Sequence, residues 1–342
     1  MHSFVPKDPI YYLSKNQLFR ERKWRKKANP IYLRTCEFFG ATLIDRTGCI
    51  ETGIPFQVID PISLLAKSGK SFEDICAQRA AEISAKAGHQ TIRVLWSGGI
   101  DSTVALISLI REMKKEDQLV RLKILLSKES ILEFPSFFQQ QIENKLAYQL
   151  ISDTIYDHIQ ADEINVTGEH GDQLFGSDKL KYAVETQEAF RPYQEVLDYF
   201  ISRKLGTEKH TKAIIDYVNP QLAYSPVEIE TYYDYLWWMN FSMKWQNVSL
   251  RLLYGLNRSH HELNTRFFHF FQHTDFQNWS ISNHDKKIKR TWNSYKYIAK
   301  KYIHDFHPDH EYLLNKEKEP SLKEVLVSKK RSNFSFPFKF IV

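Results

Sequence analysis

An α/β fold with a parallel sheet and helices on both faces is what this sequence predicts, on three observations. The apolar run Ile92-Arg93-Val94-Leu95-Trp96 has the length and type of a buried strand. A glycine turn, Ser97-Gly98-Gly99-Ile100-Asp101-Ser102-Thr103, follows it directly, and then comes a helix-forming stretch from Val104 to Met113. The alternation then continues, with Leu119 to Leu126 read as a second strand, Ser136 to about Ile159 as helix, and Ile164 to Val166 as the start of a third strand. Alternation of this kind implies parallel strands joined by right-handed crossovers.

Two segments flank this alternating core. Residues 1–87 are expected to form a small α+β unit. In it, Cys36 to Asp45 and Cys49 to Ile59 read as a hairpin turning at Arg46-Thr47-Gly48. A helix from Ser71 to Ala87 would close that unit, with Ser71 as its cap, Glu73 and Asp74 in its first turn, and Gly88 at its end. Residues 88–342 form the second expected unit, helical and aromatic-rich from about residue 180. Its densest stretch, Thr231 to Met239, reads as a helical core with tyrosine hydroxyls reaching water rather than as a base-stacking surface.

Composition sets the outer bounds. With 42% hydrophobic and 26% charged residues over 342 positions, the chain has room for a full core. No apolar stretch approaches the ~20 residues of a membrane helix. The opening Met1-His2-Ser3-Phe4 lacks a secretory pattern, and Cys36, Cys49 and Cys76 are too few for a disulfide framework. A cytoplasmic location is the expectation. The net charge of +6 is clustered at Arg20, Arg22, Lys23, Arg25, Lys26 and Lys27, at Lys286, Lys287, Lys289 and Arg290, and at Lys329, Lys330 and Arg331. Such runs are read first as solvated surface and second as a nucleic-acid footprint.

The loop after the first strand carries the chemistry. Strand, glycine turn and helix start point consecutive backbone N–H groups at a phosphate. Gly98 and Gly99 allow close approach, Ser97, Ser102 and Thr103 add hydroxyls, and Asp101 can hold the divalent cation that accompanies polyphosphates. A Walker lysine is absent, so the cradle is of another kind.

Ser-Gly-Gly-x-Asp-Ser resembles the pyrophosphate loop of the N-type ATP pyrophosphatases, which include asparagine synthetase, β-lactam synthetase, GMP synthetase and several tRNA-modifying enzymes. The segment from Thr167 to Gly176, Thr-Gly-Glu-His-Gly-Asp-Gln-Leu-Phe-Gly, resembles the Ser-Gly-Glu-Gly-x-Asp-Glu-Leu-Phe-Gly-Gly segment of asparagine synthetases. The likeness spans roughly residues 88 to 300 and is sharp only at the motifs. It implies an adenine nucleotide α-hydrolase-like fold, ATP and Mg²⁺ as cofactors, and Asp101 and Asp172 as the metal ligands. It further implies that Gly168 lines the nucleotide site and that Glu169 contacts the reacting substrate and moves a proton. His170 stands where the family has glycine; its side chain would narrow the pocket and argues against aspartate as substrate. Ser177 replaces a second glycine. Tyr295 to Lys301 resembles the family's Lys-x-x-Leu-Arg segment, which makes Lys296 the cation of adenylation and puts Lys300 at the arginine position. Arg266 to Phe271 resembles an Arg-Val-Pro-Phe-Leu-Asp segment too loosely to carry any residue over.

What the resemblance implies is an AMP-forming ligase. A substrate oxygen attacks the α-phosphorus of ATP, pyrophosphate leaves, and ammonia or an amine then displaces AMP to form an amide, amidine or lactam. Its partners are therefore a small acyl substrate and a nitrogen donor. An enzyme activating a nucleobase or tRNA carbonyl shares the first half-reaction, and a non-catalytic nucleotide-binding subunit is the reading from another class. All three cysteines precede the loop, which argues against sulfur transfer. Because His2 follows Met1 and the leading unit is short, glutamine hydrolysis is not expected. Nitrogen would come from free ammonia, an amine co-substrate or a partner glutaminase. His304, His307 and His310, spaced by threes around Pro308, lack the further ligands of a zinc set.

Overall fold

A five-stranded, all-parallel sheet organises the part of the protein that carries both glycine motifs. The computed structural model describes residues 9–62, 69–177 and 179–316; the basic run Lys329, Lys330 and Arg331 lies outside them. The strands are β1 (Ile92–Leu95), β2 (Leu122–Ser127), β3 (Ala147–Ile151), β4 (Ile164–Thr167) and β5 (Phe267–His269), in the order β3-β2-β1-β4-β5. β1 and β4 are buried at every residue, and both are continuous short runs, as strands covered on both faces must be. Leu95 of β1 is paired with Thr167 of β4 and with Leu125 of β2. The chain thus steps outward from β1 to β2 and β3, then returns to the other side of β1 as β4. That reversal makes the β1–β4 boundary the switch point of the sheet, where a crevice opens beyond the carboxyl ends.

Contacts divide the chain into two compact units. Of the described residues, the sheet-bearing unit takes 69–175 and 261–316. Helix Ile100–Lys115 packs on β1, β2 and β4, and helices Phe72–Ala87 and Tyr297–His304 pack on that helix. Phe72–Ala87 begins as its sequence requires, with a Ser71–Asp74 capping box worth ~1 kcal/mol, yet it belongs to this unit and not to the N-terminal one. Phe72 of that helix sits among Phe175, Phe271, Phe276, Trp279 and Tyr302.

The stretch from Ser136 to Ile159 departs from the expected helix. A short helix Pro135–Phe137 and a wider turn Phe138–Ile142 are followed by β3 and a single turn at Ile155–Asp157. Asn144 takes a left-handed conformation, φ 61°, which ends the helical path. β3 is an edge strand with Ala147 to Leu150 exposed, so it has no apolar run to announce it. β5 was likewise not foreseen, and Leu119–Arg121 is a helical turn leading into β2.

The other unit joins the described residues of 9–62 to those of 176–260 and is helical there. The expected hairpin is absent. Cys36 to Phe39 instead complete a helix, Pro30–Phe39, capped by Asn29 and stopped by Gly40 at φ 67°. Tyr32, Thr35, Cys36 and Phe39 recur at helical spacing and are buried, so the residues from Cys36 continue a helix that begins six residues before the expected strand. Beyond Gly40 the Asp45 carboxylate accepts from the N–H groups of Thr47 and Ile50 at 2.9 Å. These side-chain bonds replace a hairpin ladder. The backbone N–H groups of Ile44 and Arg46 donate to the carbonyls of Met243 and Ser242. The aromatic run lies on helix Tyr232–Met243, where Tyr232, Tyr233, Tyr235, Trp237 and Trp238 are all buried. It is a core, as read. Its tyrosine hydroxyls are enclosed rather than wetted, and burial pushes the pKa values of Tyr233 and Tyr235 well up.

Candidate functional site

Two loops meet beyond the carboxyl ends of β1 and β4, and both belong to the sheet-bearing unit. The first is Ser97–Gly99, leading into helix Ile100–Lys115. Its shape is set internally. Ser97 N–H donates to Ser102 Oγ at 3.1 Å, the two hydroxyls lie 2.9 Å apart, and Gly99 N–H donates to Ser97 Oγ at 3.3 Å. Gly98 adopts φ 77°, and a Cβ there would run into the Ser130 carbonyl, so glycine is required. No side chain caps the helix at Gly99. The positive end of its dipole lies at this loop, beyond the carboxyl end of β1, which suits an anion.

Thr103 differs from its neighbours. It is fully buried, donates to the Gly99 carbonyl at 2.8 Å and accepts from Trp96 Nε1 at 2.9 Å. Its hydroxyl ties the loop to the core.

The second loop, Gly168–His170, runs into the short helix Gly171–Phe175. A Cβ on Gly168 would lie 2.7 Å from the Asp101 carbonyl carbon, and one on Gly171 would fall on the Asp101 carboxylate. The two loops therefore touch backbone to backbone. Glu169 is half-buried, and its N–H donates to Thr167 Oγ1 at 3.2 Å. His170 holds φ 75°, the left-handed region that favours glycine, and its ring is buried 5.1 Å from that of His269.

Lys296 closes the group. Its ammonium lies 2.5 Å from Asp101 Oδ2 and 2.7 Å from Asp172 Oδ1, and the side chain is 0% exposed. The Tyr295 hydroxyl donates to Asp172 Oδ1 at 3.5 Å, and the rings of Tyr295 and Phe175 stand 5.4 and 5.9 Å from the ammonium. No protein-family model matches this chain, and neither does any curated protein. The likeness to asparagine synthetases thus rests on the motifs, and the geometry has to be weighed on its own.

On that geometry, Asp101, Asp172 and Lys296 are brought together although they come from three separate segments, and Ser97, Gly98, Gly99, Ser102 and Gly168 line the same junction. Two carboxylate oxygens converge on one cation-sized point, which is the donor set a magnesium ion takes when phosphate and water complete its shell. Lys300 is elsewhere. Its buried ammonium donates to the carbonyls of Asn293 and Lys316, where it ties the Tyr297–His304 helix to the chain on either side. His307 Nε2 lies 3.2 Å from Ser136 Oγ, which donates to Asp309 at 2.8 Å, while the rings of His304 and His310 contact each other. Among the described residues no cluster of three metal-ligating side chains forms.

Three contributors were not singled out from the sequence. Gly171 is needed because the Asp101 carboxylate occupies its Cβ position. Tyr295 touches Asp172, and His269 at the end of β5 backs the Glu169 loop through Thr167. Gly171 had a local signal, lying one residue before the metal-type aspartate. Tyr295 and His269 had none, because their partners lie far away in sequence.

Proposed function

We propose that the chain is an ATP-dependent ligase that adenylates a carboxylate-like oxygen, releases pyrophosphate, and then forms an amide with ammonia or an amine. The observation that carries this reading is the contact of Lys296 with both Asp101 and Asp172 at the β1–β4 switch point, beside an uncapped helix N-terminus. The site combines two carboxylates, a buried ammonium and a helix N-terminus. It has what a phosphate leaving group needs.

In this reading the β- and γ-phosphates of ATP lie against the backbone N–H groups at the start of helix Ile100–Lys115, with the Ser97–Ser102 loop shaping the approach. Asp101 and Asp172 would hold Mg²⁺, which neutralises charge on the departing pyrophosphate. A substrate oxygen attacks the α-phosphorus in line. The α–β bridging oxygen leaves with the electron pair, and the Lys296 ammonium stabilises the charge gathering there. Glu169, half-buried at the rim of the second loop, takes the proton from the incoming amine as AMP departs. The fold this implies is the adenine nucleotide α-hydrolase-like one, and its all-parallel sheet with both motifs at strand ends supports that reading.

A second reading, activation of a nucleobase or tRNA carbonyl, is favoured by helix Arg22–Lys27, which buries none of its residues and carries five cations. ATP–pyrophosphate exchange separates the two. Exchange stimulated by amino or carboxylic acids supports the first, exchange stimulated only by RNA supports the second, and none with any substrate would leave a nucleotide-binding subunit.

A further inference from the structure

Lys296 stands where the divalent cation is expected, and its surroundings fix it there. Its backbone is held in the left-handed region at φ 59° and ψ 30°, at the head of helix Tyr297–His304. The N–H donates to the Lys287 carbonyl at 3.0 Å, and the carbonyl accepts from Lys300 N–H at 3.0 Å. A lysine in that conformation is held by its neighbours and not by its own preference. With the main chain hydrogen-bonded on both sides, the side chain is the part with the most freedom. The ammonium is fully buried and shares its two carboxylates as short, charge-assisted contacts.

We propose that Lys296 is the resident counter-ion of the Asp101–Asp172 pair, an internal plug that keeps free divalent cations out. It yields its place only to a cation arriving with a polyphosphate. This inference rests on the reading of the Ser97–Ser102 loop as a polyphosphate cradle. The physics is charge balance. The ammonium offsets part of the carboxylate charge and so weakens the pull on a magnesium ion, which dehydrates reluctantly. A divalent ion and an ammonium cannot occupy one point a few ångströms across without strong repulsion. Retracting the ammonium alone would leave a buried charge without partners. A bound polyphosphate removes both obstacles. Its oxygens offer the ammonium a new anionic partner and supply the remaining ligands of the metal. Metal and nucleotide would then load together, and the free protein would be protected from idle metal binding.

Manganese binding followed by electron paramagnetic resonance tests this without any turnover. The wild-type protein is titrated with Mn²⁺ alone and with Mn²⁺ plus inorganic pyrophosphate, and Lys296→Met is titrated with Mn²⁺ alone. The wild type should bind Mn²⁺ weakly alone and at least tenfold more tightly with pyrophosphate. Lys296→Met should bind Mn²⁺ alone at least tenfold more tightly than the wild type does. Equal binding by wild type and variant would overturn the proposal, and so would a wild type indifferent to pyrophosphate. Should Lys296→Met fail to fold by circular dichroism, Lys296→Gln takes its place, and the wild-type comparison needs no substitution. The ligase reading fails separately: absent ATP–pyrophosphate exchange would sink it while the manganese result still stood.

Discussion

Thr167 Oγ1 lies 2.7 Å from Nδ1 of His269, joining the carboxyl ends of β4 and β5 across 102 positions of sequence. Both side chains are buried, and the same hydroxyl accepts the N–H of Glu169 at 3.2 Å. The loop that carries Glu169 therefore hangs on a hydroxyl steadied by a distant histidine. Thr167→Val keeps the shape and removes the oxygen, depriving the buried His269 ring and the half-buried Glu169 N–H of a partner. We expect a loss of about 1–3 kcal/mol in unfolding free energy, read as a lower urea midpoint. An unchanged midpoint would show that the hydroxyl does not hold the loop.

Asp101→Asn and Asp172→Asn each replace an anionic oxygen by a neutral one at the point where both carboxylates meet the Lys296 ammonium. Each should cost at least tenfold in pyrophosphate release with the far-UV circular dichroism unchanged. Wild-type turnover in either variant would remove that aspartate from the metal site.

Gly171→Ala adds one carbon where the Asp101 carboxylate already stands. The carboxylate must swing away from Lys296, or the two loops must part. Affinity for a non-hydrolysable ATP analogue should fall roughly tenfold, or ~1.4 kcal/mol, by titration calorimetry. Alanine tolerated with native affinity would mean that the loops do not form one site.

Acid should weaken the fold through His307. Burial lowers its pKa, more than the nearby Asp309 carboxylate raises it. The neutral ring is thus favoured in the native state, whereas the unfolded chain takes up a proton near its ordinary pKa of about 6.5. Stability is full above that value and declines as pH falls below it. Asp309, whose own pKa is lowered, stays ionised throughout this window. His273 is shifted in the same direction by burial and adds to the slope. Urea midpoints measured at about pH 7.5 and about pH 5.5 should differ less in His307→Gln than in the wild type. An equal difference would mean that His307 does not drive the acid response.

Local pieces whose signals are contiguous were legible in the order of residues alone. The strand at Ile92–Leu95, the glycine turn at Ser97–Gly99, the helix after it, the capped helix from Phe72 and the strand before Gly168 could all be read from neighbouring residues. Each depends on periodicity, a cap or a turn, which act over a few positions. Signals of the same local kind also misled. Cys36 to Phe39 read as the start of a strand but complete helix Pro30–Phe39, and the exposed edge strand Ala147–Ile151 lies inside an expected helix. Packing set the order β3-β2-β1-β4-β5, and with it the switch point that sets both motifs side by side. It alone divided the chain so that residues 176–260 join the N-terminal segment rather than the sheet. It also decided that Lys296 sits between Asp101 and Asp172 while Lys300 holds carbonyls elsewhere, though the two lie one helical turn apart. Residue type and spacing cannot fix such a choice. Which carboxylates meet an ammonium depends on where the fold buries it, and burial belongs to the packed chain as a whole.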